Sequence, residues 1–152
     1  MATMTVTGSQ HVRADPEAVW AAMADFGGVH HWSSALVATR LDGPVAPGVR
    51  RQCDLARPVL GTRYVEERLV ELDEGAGSLT YEVVGSIGPF KTARNQWRMA
   101  STPEGGVRIT TQATFELRGL LGRLVAPWAR RTVQKEIRVG LADFARHVEA
   151  SA

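Results

Sequence analysis

The segment from Leu120 to Ala150 has the pattern of one long helix, and it follows a long region with the texture of short strands. Between Ala35 and Leu117, apolar and alternating runs are separated by turn residues at 42–44, 47–48, 61, 75–77, 88–89 and 105–106. Strands at this spacing favour an antiparallel meander over parallel crossover units. Because a helix and a sheet must each cover an apolar face, the sheet is expected to curve around the long helix.

The N-terminal part adds one strand and two short helices to this plan. Residues 3–13 alternate in the manner of a half-buried strand. Asp15-Pro16-Glu17 predicts a helix start, because an acidic cap, an early proline and a first-turn carboxylate all suit that end. Gly27-Gly28 is expected to end the helix, and residues 30–32 to form a second short helix or a turn. The apolar face of the first helix is predicted to consist of Val19, Trp20, Met23 and Phe26.

The long C-terminal helix is predicted to face the sheet with one apolar stripe, and Pro127 predicts a kink or a restart within it. The elements together define an α+β fold, a curved antiparallel seven-stranded sheet around a long C-terminal helix with two short helices after the first strand. We expect a single domain over residues 1–152, with unfilled space between sheet and helix forming a binding cavity. The stripe consists of Leu121, Val125, Trp128, Val133, Ile137, Leu141, Phe144 and Val148.

Composition narrows the classes of function. Eighteen basic and 16 acidic side chains leave a net charge of +2. No base-stacking motif accompanies the basic cluster at residues 130–138, so we expect a solvated helix face and no nucleic-acid partner. No apolar run is long enough to span a bilayer, and residues 1–13 lack a signal-peptide core. Cys53 is the only cysteine, so no internal disulfide can form and a cytoplasmic location is expected.

Four segments stand out in the sequence: residues 14–20 with Asp25-Phe26, Pro47-Gly48-Val49-Arg50-Arg51, Glu67-Arg68-Leu69 with Asp73, and Gly88-Pro89-Phe90 leading to Trp97. In their order and spacing they resemble the START-like (SRPBCC) superfamily, which includes polyketide cyclases, lipid carriers and the plant abscisic-acid receptors. The resemblance extends from about Val6 to Val148 and implies the helix-grip fold. In the receptor branch, the glutamate of the third segment faces the cavity and helps to hold the ligand, which implies the same position for Glu67.

With Glu67 placed inward by the resemblance, period-two alternation predicts the other residues that line the cavity. Trp32, near the expected cavity mouth, is a further candidate. The strands are expected to contribute Arg51, Cys53, Leu55, Val65, Glu67, Leu69, Tyr81, Val83, Ala93, Asn95, Trp97, Ile109, Thr111, Ala113 and Phe115. The C-terminal helix is expected to contribute Trp128, Thr132, Val133, Ile137 and Leu141.

Arg51 and Glu67 are the charged members of this set. Burying a lone charge is costly, so the two side chains are expected to pair, to contact water or to meet a polar ligand. A structural ion pair is one alternative. Another is a one-residue register slip, which would place Arg50, Glu66 and Arg68 inside instead.

No metal site or cofactor is predicted, since His30 and His31 point about 100° apart on a helix and no carboxylate lies at ligand spacing. Cys53 lacks a neighbouring base or oxyanion motif in sequence and is interpreted as a buried structural residue. In the receptor branch, two loops close over the ligand. The resemblance implies that residues 56–61 and 85–90 occupy those positions, although the receptors' gate motifs are absent.

Two principal functions follow from these features, each involving a small hydrophobic molecule and a monomer or homodimer. The first is binding or carriage of a polyketide, isoprenoid or lipid-like compound. The alternative is a polyketide aromatase/cyclase, in which Arg51 would stabilise an enolate and Glu67 would move protons as catalytic residues. A third possibility, a membrane- or partner-binding protein, requires an exposed apolar patch.

Overall fold

Seven antiparallel strands form one sheet in the order β1-β7-β6-β5-β4-β3-β2 in a computed structural model, which describes residues 2–151. The predicted fold class is confirmed, with a long C-terminal helix lying against the sheet. The strands are β1 (Ala2–Val12), β2 (Leu36–Leu41), β3 (Arg50–Val59), β4 (Thr62–Asp73), β5 (Ser78–Val83), β6 (Phe90–Ser101) and β7 (Val107–Leu117). The helices are α1 (Pro16–Ala24), a single 3₁₀ turn (Val29–His31) and α2 (Gly119–Ser151).

The two short helices expected after β1 are therefore one α-helix and one 3₁₀ turn. Pro16 occupies the first turn of α1 and Glu17 lies beside it, as the sequence predicts. Asp15 is at the N-cap with extended backbone, but its side chain makes no capping hydrogen bond. The proline and the first-turn carboxylate, rather than a side-chain cap, thus mark the start of this helix.

The C-terminal half of α2 closes the main core. Leu141, Phe144, Ala145 and Val148 pack with buried residues of α1 and β7, and α2 runs without interruption past Pro127, so no restart occurs there. The buried carboxylate of Asp143 accepts hydrogen bonds from the backbone N–H (2.9 Å) and hydroxyl (2.6 Å) of Ser34. These bonds fasten the segment before β2 to α2.

The N-terminal half of α2 does not follow the predicted stripe. Leu121 and Trp128 are 72% and 54% exposed, and small residues contact the sheet in their place. Gly122 lies against Leu117, and Ala129 is fully buried with Met4 and Phe115. Apolar residues surround this part of the helix, so periodicity did not select a face. Because α2 lies close to the sheet here, only small side chains fit between the helix and the sheet.

A close approach between β1 and α2 occurs at Gly8. A Cβ atom at this position would lie 2.5 Å from Ile137 Cγ2 and 3.3 Å from Leu141 Cδ1. We expect Gly8→Ala to lower the free energy of unfolding by about 1–3 kcal/mol, because α2 must move away from the sheet. Urea denaturation measures this effect. Gly43→Ala is the matched control, since nothing lies within 4 Å of its Cβ position. A Gly8→Ala protein as stable as the control would contradict the contact.

Among residues 2–151, no helix is long and apolar enough to cross a membrane.

Candidate functional site

A cavity of about 380 Å³ lies between the concave face of the sheet and α2. Its wall is mostly apolar, and polar side chains enter it from β3, β4, β5, β6, β7 and α2. Trp32, Trp97 and Phe144 pack together near it, with ring centroids 5.2–5.7 Å apart. The cavity volume falls in the range that small-molecule sites occupy.

The structure places most of the residues predicted to face the cavity on its wall. Leu69 and Trp128 are exceptions, and their predicted positions were wrong. Leu69 is buried beyond the cavity among Phe26, Val49 and Leu79, because Phe26 fills the space on that side of the sheet. Trp128 is exposed on the outer side of α2. Ile109 also lies in the core rather than on the wall. The wall includes Trp32, Arg51, Cys53, Leu55, Val65, Glu67, Tyr81, Val83, Ala93, Asn95, Trp97, Thr111, Ala113, Phe115, Thr132, Val133, Ile137 and Leu141.

Several lining residues were not predicted individually, because they lie in turns, whose path alternation does not determine; the resemblance indicated only the loops 56–61 and 85–90 as a whole. Leu60 and Gly61 both have positive φ (51° and 78°), as in the two-residue turns that join twisted strands. The Leu60 side chain lies over the β5–β6 loop, where its Cδ1 would be 2.5 Å from a Cβ at Gly88. The other unpredicted lining residues are Val29, Ser33, Ala35, Leu36, Val59, Gly85, Ile87, Phe90, Thr92, Glu136 and Gly140.

Arg51 and Glu67 are directly paired across β3 and β4, and both line the cavity. Their neighbours Arg50 and Glu66 pair on the outer face, 45% and 38% exposed. The structure therefore has the inward register and not the slipped one. Arg51 Nε and Nη2 each lie 2.8 Å from Glu67 Oε1.

The Arg51 guanidinium is held in place by protein groups on several sides. Its Nη1 donates to the carbonyl oxygen of Phe26 at 3.0 Å, so each of its three nitrogen atoms has an acceptor. The group also stacks 3.9 Å from the Phe26 ring centroid and 4.6 Å from that of Tyr81. Burial, the largest single cause, favours a lower pKa for Arg51, but Glu67, Tyr81 and Cys53 together outweigh it and the pKa is raised. Arg51 is thus a fixed cation.

All the hydrogen bonds that Glu67 accepts from residues 2–151 are made to one of its two carboxylate oxygens. Both Arg51 contacts and the Cys53 thiol, at 3.7 Å, are made to Oε1. Oε2 accepts no bond from residues 2–151, and Glu67 is one of the residues that line the cavity. Two further polar atoms, Trp32 Nε1 and Thr111 Oγ1, are buried with no partner in the part of the chain that the structure describes.

The neighbouring ionisable groups are held neutral. Burial and then the Glu67 charge raise the pKa of the Cys53 thiol to about 12. The same two causes raise the pKa of Tyr81. A neutral thiol is a poor nucleophile, so Cys53 presents an inert, weakly polar surface.

We expect alkylation of Cys53 by iodoacetamide at pH 8 to be slower in the folded protein than in urea, on the order of 1,000-fold. The reason is that an unfolded thiol titrates near its ordinary value, about 8.5, and is partly thiolate at this pH. Mass spectrometry of timed samples measures the two rates. A Ser101→Cys variant supplies an exposed reference thiol. Equal native rates for the reference thiol and Cys53 would contradict the burial argument.

No group of three or more His, Cys, Asp or Glu side chains within residues 2–151 is arranged to hold a metal ion. The rings of His30 and His31 contact each other, with centroids 4.1 Å apart, and neither residue lines the cavity.

The sequence matches the profile of a protein family, and the fold is similar to that of solved structures. The profile of a family described as polyketide cyclase / dehydrase and lipid transport matches residues 3–149. No curated protein matches the chain. The crystal structure of TTHA0849 from Thermus thermophilus is similar with a TM-score of 0.79 at 18% identity, covering 98% of this chain and 99% of that one. The Zhui aromatase/cyclase from Streptomyces sp. R1128 gives a TM-score of 0.80 at 15% identity, covering 97% and 94%.

Proposed function

This chain belongs to the polyketide cyclase/dehydrase and lipid transport family, and we propose that it binds a hydrophobic small molecule in the cavity between the sheet and α2. The proposed ligand is a polyketide, an isoprenoid or a lipid-like compound. A mostly apolar wall supplies affinity through burial of the ligand's apolar surface. A few polar groups orient the ligand, as in other small-molecule sites.

The arrangement of the Arg51–Glu67 pair is the observation that carries this proposal. Arg51 is 4% exposed and is held by Glu67 and by the Phe26 carbonyl, whereas Glu67 is 14% exposed and accepts its bonds from residues 2–151 at Oε1 only. The pair therefore offers the ligand an acceptor held in a fixed orientation. A hydroxyl group on an otherwise apolar molecule fits this acceptor.

A cyclase is the second candidate, and it is favoured by the family description and by the similarity to an aromatase/cyclase. In that reaction, Arg51 would stabilise a developing enolate and Glu67 would transfer protons. The geometry argues for binding instead, because the Arg51 guanidinium is only 4% exposed, lies against the Phe26 and Tyr81 rings and offers little surface to an oxyanion. A cytoplasmic location and a monomeric or homodimeric state remain predictions.

Native mass spectrometry of freshly purified protein, followed by denaturing extraction, tests the proposal. We expect a hydrophobic metabolite at near-stoichiometric occupancy. Glu67→Gln should weaken binding of that compound about tenfold, as expected for loss of one charge-assisted hydrogen bond, while Glu66→Gln on the outer face leaves it unchanged. A protein that carries nothing and takes up no apolar dye would refute binding. Turnover of analogues that Glu67→Gln abolishes, with binding retained, would establish the cyclase.

A further inference from the structure

The outer side of the N-terminal half of α2 carries four large apolar side chains that no part of residues 2–151 covers. Leu120, Leu121, Leu124 and Trp128 are 78%, 72%, 78% and 54% exposed, and we call them the outer apolar face. The inward side of the same turns carries Gly122 and Ala129, which are buried. Large apolar residues outside and small ones inside reverse the usual amphipathic pattern, which indicates that this surface has a binding partner.

The charge around this face has one sign. From Arg118 to Lys135 the sequence contains five basic residues and no Asp or Glu. None of the five forms an ion pair with any residue in the part of the chain that the structure describes. Their side chains are exposed, and they are Arg118, Arg123, Arg130, Arg131 and Lys135.

The outer apolar face adjoins the cavity. Trp128 precedes the lining residue Thr132 by about one helical turn, so the outer apolar face and the cavity-lining side of α2 meet along this edge of the helix. The backbone N–H of Arg118 donates to the carbonyl oxygen of Pro89 at 2.9 Å, which ties the start of α2 to the β5–β6 loop. Leu60 packs on that loop, and Val59 and Leu60 are themselves about half exposed at 49% and 48%. Three segments therefore present apolar side chains at one end of the molecule.

We propose that the outer apolar face docks on a lipid bilayer that carries anionic headgroups. Leucine and tryptophan flanked by arginine is the composition of helices that lie in the membrane interface. A second copy of the chain fits less well, because a two-fold pairing of this face would bring Arg123 and its neighbours together without any carboxylate on this half of α2. Anionic headgroups supply the missing negative charge.

Docking on this face would also bring the half-exposed cavity-lining residues Val59 and Leu60 near the bilayer. The docking itself does not depend on the proposed function, since it rests on α2 alone and is measured on protein with or without a ligand.

Sedimentation with vesicles tests the proposal. The full-length protein is expected to bind vesicles of equal parts phosphatidylcholine and phosphatidylglycerol, and to bind pure phosphatidylcholine at least tenfold more weakly. The double variant Leu121→Ser/Leu124→Ser is expected to lose about 100-fold in partitioning onto the mixed vesicles, about tenfold for each leucine. High salt should weaken wild-type binding.

Val37→Ser is the matched control, because Val37 is 64% exposed on β2, outside the outer apolar face, and its loss should leave binding unchanged. The proposal would be overturned if the wild-type protein did not bind the mixed vesicles. Binding that the double variant retains would also overturn it. A dimer in light scattering that the double variant abolishes, without vesicle binding, would assign the face to self-association instead.

Discussion

Replacing Arg51 with alanine is expected to lower the free energy of unfolding by about 3–5 kcal/mol, the largest effect of any single substitution proposed for this chain. The substitution leaves Glu67, whose side chain is only 14% exposed, without its cation. It also removes the donor to the Phe26 carbonyl and the planar group between the Phe26 and Tyr81 rings. Urea denaturation followed by tryptophan fluorescence measures the loss.

The adjacent residue provides the control for Arg51. Arg50 is paired with Glu66 on the outer face, where both side chains are substantially exposed, so Arg50→Ala should cost less than about 1 kcal/mol. Similar losses for the two variants would contradict the inward register of β3 and β4. The double variant Arg51→Met/Glu67→Leu should recover much of the stability, because a buried ion pair and a well-packed apolar pair are often of similar stability.

The recovered double variant also separates structure from ligand recognition. If it folds and no longer binds the compound that co-purifies with the wild type, the pair serves recognition. If it folds and binds as before, the pair serves only the register of the sheet, and the proposed role of Glu67 fails.

The strand-derived part of the cavity could be predicted from the sequence because side chains in a strand alternate between two faces. Once the resemblance had placed Glu67 inward, alternation placed Arg51, Cys53 and Val65 on the wall, where the structure has them. Leu69 obeys the same alternation but lies in the core, because Phe26 from the segment after α1 covers it. Alternation gives the face of a residue and not what packs against it.

The helical contribution was harder to predict because the apolar side chains at positions 120–128 surround the helix. The choice between Leu121 and Gly122 as the inward residue depends on how closely α2 approaches Leu117, and that distance is a tertiary property. Strand alternation did not identify the individual loop residues for a related reason, and only the resemblance indicated the loops 56–61 and 85–90. Leu60 reaches the cavity through a turn with positive φ at a non-glycine residue, which no sequence propensity favours.

Filling the cavity with Ala93→Trp is expected to weaken ligand binding by about 100-fold or more while the fold is retained. Ala93 lines the cavity from β6 and is partly buried beside Phe115 and Val133. An indole at this position occupies space that the ligand's apolar surface requires, and loss of about 3 kcal/mol of burial corresponds to about 100-fold in affinity. Titration with an uncharged naphthylamine dye and with the extracted compound measures the change.

Ala100→Trp is the matched control, because Ala100 lies on the same strand and is exposed outside the cavity. Its dye titration should overlay that of the wild type, and the circular dichroism spectra of both variants should retain the wild-type shape. If Ala93→Trp binds as the wild type does, the molecule does not enter between the sheet and α2. Apolar ligands would then be held on the surface, and the outer apolar face of α2, with its four exposed side chains, would become the first place to locate them. Loss of binding in Ala93→Trp together with normal vesicle binding would instead show that the cavity and the outer apolar face are two separate sites.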